Sequence, residues 1–311
     1  MRRPSYVYGL AAGDCPRRML PFLGVSMNIV VTVPAGCGEI LQGNMDKRSL
    51  IVACPVNLYV TARVVDGVFD ELAVPEKSRR AVAATLRYLG EKSFPYALGL
   101  SSAVPQGKGM SSSSADIGAV ITAVSAAFGY EMTEKEICSL ALAIEPTDPV
   151  FCEGIAAMDR KSGEIIHTFT SVPPMSVLTF DRGGVVDTVS FYKDKDKDPD
   201  GSQDLKELYS ALKKAGDDCR VWGAVATASA RANQKIFYKP ELETLIHLAE
   251  QYDVCGVGTA HTGTLYTVFM PSEKIFSAGA ELVRAIKRTL PGLQYKGVYT
   301  LIAGGVSKRG R

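Results

Sequence analysis

The chain has 311 residues, 46% hydrophobic and 22% charged, with a net charge of +2. That length and composition suit one large or two medium domains with substantial cores, and Lys and Arg interleaved with nearly as many Asp and Glu argue against a nucleic-acid partner. Seven cysteines with no CxxC spacing, set among apolar residues, favour reduced thiols over a disulfide framework or a zinc site, and so a cytoplasmic protein.

Residues 1–26 begin basic, but Asp14, Arg17 and Arg18 interrupt their apolar stretch, so they read as a poorly ordered extension without function. From Met27 the pattern becomes regular. Strands are predicted at 28–33, 57–65, 96–102, 164–169, 176–181, 185–191, 264–270 and 297–303. Helices are predicted at 78–90, 113–129, 133–145, 204–216, 219–236, 241–252 and 272–288. Several strands follow one another without an intervening helix, which indicates an α+β fold. The pattern restarts near residues 150–160, giving expected domains at 27–155 and 156–311. The stretch VCGVGTAHTGTLYTVFMPS lacks charge but holds too many Gly and Thr and a Pro to read as a membrane span.

Residues 105–116, PQGKGMSSSSAD, carry the clearest chemistry. A phosphate site needs converging backbone N–H groups, glycines that let the backbone approach, and a helix N-terminus. Gly107 and Gly109 permit a tight path, the serines offer N-cap hydroxyls, and the helix expected from Ser113 directs its first amides into the loop. The spacing is not a Walker A motif, and on residue pattern alone a structural Gly/Ser turn stays open beside phosphate binding.

The run Pro105, Gln106, Gly107, Lys108, Gly109, Met110, Ser111, Ser112, Ser113, Ser114 resembles the phosphate loop P-x-x-x-G-[LM]-[GAS]-S-S-[AST] of the GHMP kinases. VPAGCGEILQG (33–43) and GVGTAHTGTLYTVF (256–269) resemble that family's first and third motifs, in the expected order. Within the family, PAGCGE, GKGMSSSSAD, EPTD and GTAHTGT are most similar to the branch that phosphorylates free L-threonine for cobalamin assembly. The resemblance implies an N-terminal domain like ribosomal protein S5 domain 2, a ferredoxin-like C-terminal domain, ATP and Mg²⁺ as cofactors, and a small-molecule substrate.

It also implies roles. Pro105 and the loop from Gly107 to Ser114 would hold the phosphates with Lys108 nearby, and Ser113, favoured slightly over Ser112, would join Mg²⁺. Glu145 is either the metal-binding glutamate or a solvated helix-terminal acid. Asp148 either orients or deprotonates the acceptor hydroxyl or shapes the turn before Pro149. Glu39 is a partner for a substrate ammonium or an exposed strand-end charge, with Cys37 and Gly38 lining the pocket. His261 would reach the phosphates or the substrate carboxylate, or hold its loop. Asp116 is expected to complement the helix dipole in the first turn.

Residues 196–207 match a calcium-loop pattern through Asp196, Asp198, Asp200, Gly201 and Glu207, yet a strand rather than a helix is expected before them, so they read as a solvated loop. Serine, homoserine or another small alcohol stays open as the acceptor, as does a catalytically silent nucleotide-binding protein.

Overall fold

Two long strands organise the chain: β1 (Asn28–Met45) and β2 (Arg48–Val65) pair antiparallel from Asn28↔Val65 to Met45↔Arg48. Val, Ile and Leu on both strands supply the buried face, and register shifts between Pro34 and Leu41 bend β1 where its sequence turns to Gly and Cys. The computed structural model describes residues 26–184 and 203–310. Residues 1–25 of the predicted extension, the 185–191 strand and residues 196–202 of the calcium-like loop lie outside them.

β2 is long enough to serve two neighbours: Leu50–Val52 pair with β4 (Ile155–Asp159) and Val60–Val65 with β3 (Ala97–Ser102). With β5 (Ile165–Phe169) and the returning β10 (Ser307–Gly310) this completes a six-stranded sheet. The expected break after residue 155 therefore falls inside the first sheet, which takes β4 and β5 before the chain leaves it. A second sheet has the order β7-β8-β6-β9, from β6 (Met175–Asp181), β7 (Gly256–Thr259), β8 (Leu265–Pro271) and β9 (Gln294–Thr300). All these pairings are antiparallel, as an α+β fold requires.

Three helices lie between strands of the first sheet in chain order: α1 (Glu76–Leu89), α2 (Ser112–Ala127) and α3 (Glu134–Leu142). Twelve of the 16 residues of α2 are buried, so it is an internal helix, apolar nearly all round, packed on β1 and β2. α3 begins at a complete capping box between Thr133 and Glu136. In the second half lie α4 (Gln203–Lys214), α5 (Cys219–Asn233), α6 (Leu242–Glu250) and α7 (Ala280–Thr289). Trp222 of α5 meets Phe169 of β5 edge-on at 5.1 Å, joining this half to the first sheet.

The six described cysteines are free thiols. Among the described residues no helix is long and apolar enough to cross a membrane.

Candidate active site

The loop before α2 is held by its carbonyls. Gly36 N–H donates to Met110 O and Gly38 N–H to Gly109 O, both at 3.0 Å, from the first motif. Thr264 and Leu265 donate to Lys108 O at 3.1 and 3.2 Å, from the third. With the carbonyls drawn outward, the segment enters α2 through Ser111 in a left-handed conformation (φ 52°). The three sequence motifs thus form one structure. Contact is so close at Gly109, with φ 89°, that a Cβ there would lie 2.1 Å from that of Ala260.

The N-terminus of α2 departs from expectation. Ser111 is its N-cap residue but makes no side-chain bond to a helix amide. Its Oγ instead donates to Asp148 Oδ2 at 2.8 Å, while Asp148 N–H donates to Ser114 Oγ at 2.9 Å. The serine run therefore holds the Asp148 turn, and the first-turn amides of α2 keep their donors for another acceptor. Met110 is buried in the core, so only its backbone faces the loop.

Ser113 Oγ is buried and has no hydrogen-bond partner among the described residues. Asp116, one turn into the helix rather than in its first turn, likewise leaves Oδ1 without one. Burial, with Glu145 nearby, raises the Asp116 carboxyl to about 6. Glu145 is buried, not solvated, and pairs with Lys77 Nζ at 2.6 Å. Two orphaned oxygens beside a buried carboxylate are a donor set that a hard cation satisfies, and Mg²⁺ takes few protein ligands and keeps its waters. No cluster of three His, Cys, Asp or Glu suited to a metal occurs among the described residues.

Lys108 is not poised over the loop. Its Nζ lies 2.8 Å from Asp181 Oδ2 and donates to Gly184 O, and Asp181 also accepts from Thr264 Oγ1 at 2.6 Å. It ties the loop to the end of β6.

On the other side of Asp148 lies a buried polar group. Glu39 Oε2 accepts from His261 N–H at 2.8 Å, and burial, with Asp148 nearby, lifts the Glu39 carboxyl to about 8. It is not an exposed strand-end charge. The His261 ring meets Ser229 Oγ at 3.3 Å, and burial lowers its pKa to about 3, so the residue meets Glu39 through its backbone and Ser229 through its ring and offers no positive charge. Cys37 is buried in the core, and Gly38 (φ 66°) packs so tightly on Thr259 that its Cβ would lie 2.7 Å from the carbonyl oxygen; both serve the junction rather than line an open pocket.

Arg160 and Lys239 escape sequence reasoning. Lys239 is 1% exposed, donates from Nζ to Gly263 O at 2.5 Å, and lies over the rings of Phe237 and Tyr266. The Arg160 charge is felt by Glu39, Asp148 and His261 together. Burial raises the Asp148 carboxyl, while Arg160 and Ser111 oppose that rise.

Residues 77–153, which include the loop, Glu145 and Asp148, match the family described as GHMP kinases N terminal domain. The L-threonine kinase of Salmonella typhimurium (strain LT2) is 26% identical over 284 residues, covering 89% of this chain and 94% of that protein. In sequence the chain is thus similar to GHMP kinases over most of its length. The structure of homoserine kinase from Cytophaga hutchinsonii superposes with a TM-score of 0.68 over 94% of this chain and all of that one, at 16% identity. Streptococcus pneumoniae phosphomevalonate kinase in complex with phosphomevalonate and AMPPNP gives 0.63 over 89% and 99%, at 12% identity. At such identities these likenesses establish the two-domain GHMP kinase fold. The kinase-domain match and the likeness in sequence to L-threonine kinases over most of the chain mark it as an ATP-dependent kinase with an alcohol acceptor.

Proposed function

We propose that this kinase phosphorylates the side-chain hydroxyl of free L-threonine, in the cytoplasm, as a step of cobalamin nucleotide-loop assembly. ATP supplies the phosphoryl group, and Mg²⁺ neutralises charge on its terminal phosphates. The observation that carries the reading is the Ser111–Asp148 bond, which sets a carboxylate against the open N-terminus of α2. Amides of the Gly107–Ser114 segment would bind the phosphates, and Ser113 and Glu145, with Asp116 nearby, would hold the cation. Asp148 accepts the proton of the acceptor hydroxyl, which must lie in line with the phosphates. Glu39, buried and raised by that burial, receives the substrate ammonium. The resemblance of the three motifs to L-threonine kinases, and the 26% identity over most of both chains, support this choice of acceptor.

The test is ATP consumption by the purified protein with L-threonine, L-serine, L-homoserine and mevalonate, with the product identified by mass. Preferential formation of O-phospho-L-threonine is expected. Preference for another alcohol would replace the acceptor, and ATP binding without turnover on any of them would indicate a silent nucleotide-binding protein.

A further inference from the structure

The first turn of α1 carries a cation where a helix does least to favour one. Lys77 is the second residue of the helix, beside its partly positive N-terminus, and Arg80 lies three places on. No acid stands three or four places after Lys77, so nothing within the helix favours its charge. Both basic residues are instead directed to one segment beyond the end of α3. Arg80 Nη2 donates to Ile144 O at 2.7 Å, and Lys77 Nζ lies 2.6 Å from Glu145 Oε2. Glu145 N–H in turn donates to Ala141 O at 3.0 Å. The backbone around Glu145 is thus held from two helices, and its carboxylate, 6% exposed, meets a side chain that is 45% exposed. That difference sets the roles: the acid is fixed, and the ammonium reaches it from the surface on a flexible stem.

A buried carboxylate needs a cation, and Glu145 has two candidates. One is the divalent ion that the orphaned oxygens of Ser113 and Asp116 suit; the other is Lys77. An ammonium and a divalent ion on one carboxylate oxygen repel each other, so the two compete for Oε2. Lysine suits exchange better than arginine would, because it offers a single compact charge on a rotatable chain rather than a two-point fork. We infer that Lys77 is the exchangeable counter-ion of the cation site: it neutralises Glu145 in the protein without a divalent ion and gives the carboxylate up when the ion binds. The competition lowers the affinity of the site for a free ion, so the ion is taken up with the nucleotide, whose phosphates add ligands, rather than alone. Lys77 is a positioning residue that acts through Glu145. This rests on the reading of Ser113 and Glu145 as ligands of the cation.

The test is calorimetric titration with Mn²⁺, without nucleotide, of wild type, Lys77→Met, Lys77→Arg, Glu145→Gln and the double variant Lys77→Met with Glu145→Gln. Thermal melts with and without Mn²⁺ accompany it. Lys77→Met is expected to bind Mn²⁺ about tenfold more tightly than wild type, roughly the worth of a hydrogen bond to a charged group. Its melting temperature should fall below that of wild type without the ion and recover with it, which also shows that the variant folds. Lys77→Arg keeps the charge and should stay close to wild type. In the Glu145→Gln background, Lys77→Met should change Mn²⁺ affinity by less than about twofold, because the competition runs through that carboxylate. Unchanged or weaker Mn²⁺ binding by Lys77→Met overturns the inference. So does an equal gain with and without Glu145, because Lys77 would then act only as a general surface charge. Equal Mn²⁺ affinity in Lys77→Met and the double variant shows instead that Glu145 is no ligand; that failure belongs to the cation-site reading, and the inference falls with it.

Discussion

Ser111 Oγ and Asp148 Oδ2 lie 2.8 Å apart across 37 residues of sequence, so the residue that opens α2 also holds the carboxylate of the EPTD turn. A donor to the ionised form lowers a carboxyl's pKa, and the Asp148 carboxyl stands raised by burial despite this bond. Ser111→Ala is expected to raise it further, moving the acidic limb of the kcat/KM profile to higher pH and lowering turnover at neutral pH by about tenfold, roughly the worth of one such bond. Asp148→Asn should remove about 10²–10⁴ of kcat with a smaller effect on ATP affinity. Steady-state profiles over pH 5–9 check both.

Ser113→Ala and Glu145→Gln should each raise the Mg²⁺ concentration for half-maximal rate, by about tenfold, the smaller scale of a lost ligand contact. The apparent ATP affinity without metal should be less affected. Titration of activity with Mg²⁺ at fixed ATP measures the effect.

The Lys108–Asp181 pair joins the phosphate loop to β6, and Asp181 is buried. Hydrogen bonds from Lys108, Thr264 and Gly183, together with the Lys108 charge, hold its carboxyl below the usual range against burial. Its contribution to stability is therefore complete above pH 3.8, its unfolded-chain value, and is lost as pH falls through the lower folded value. Asp181→Asn should cost about 3 kcal/mol at neutral pH by stranding a partly buried ammonium. The difference from wild type should shrink in strong acid, as denaturant melts across pH would record.

Glu39 gives the opposite sign. Its carboxyl rises from 4.5 in the unfolded chain to about 8 in the fold, so between those values the unfolded state binds fewer protons. Stability from this site falls as pH climbs through that window. Glu39→Gln should flatten that slope, with the variant gaining on wild type between pH 5 and 8 in melts without substrate. With L-threonine present, wild type should bind more tightly as pH rises through the same window, releasing protons as Glu39 ionises.

Much of the phosphate-binding half was legible because its signals are local. Gly107, Gly109, the serine run and the small apolar residues after it specify loop and helix without reference to the rest of the chain, and α2 begins one residue from the expected Ser113. β1 was harder: Pro34, Gly36 and Gly38 look like a turn, yet pairing with β2 carries the strand through them by register shifts. β4 and β7 are short and rich in Ala and Gly, and only neighbouring strands make them regular. Arg160 and Lys239 sit in MDRKSG and YKPE, stretches that read as solvent-facing turns. Their value arises from which distant residues they meet, and no local periodicity encodes that.

The segment that returns from β9 toward β10 passes directly behind the Asp148 turn. Gly304 N–H donates to Gly154 O at 2.6 Å and Gly305 N–H to Val150 O at 3.1 Å, with room for no side chain at Gly304, whose Cβ would lie 2.7 Å from Cys152 O. The buttress of the Asp148 turn is thus synthesised some 150 residues after the turn itself, and a ribosome-bound chain that stops short of Gly304 can pair β1 with β2 while its aspartate still lacks backing. Long loop closures of this kind form slowly, so competence for phosphoryl transfer should be among the last properties a nascent molecule acquires.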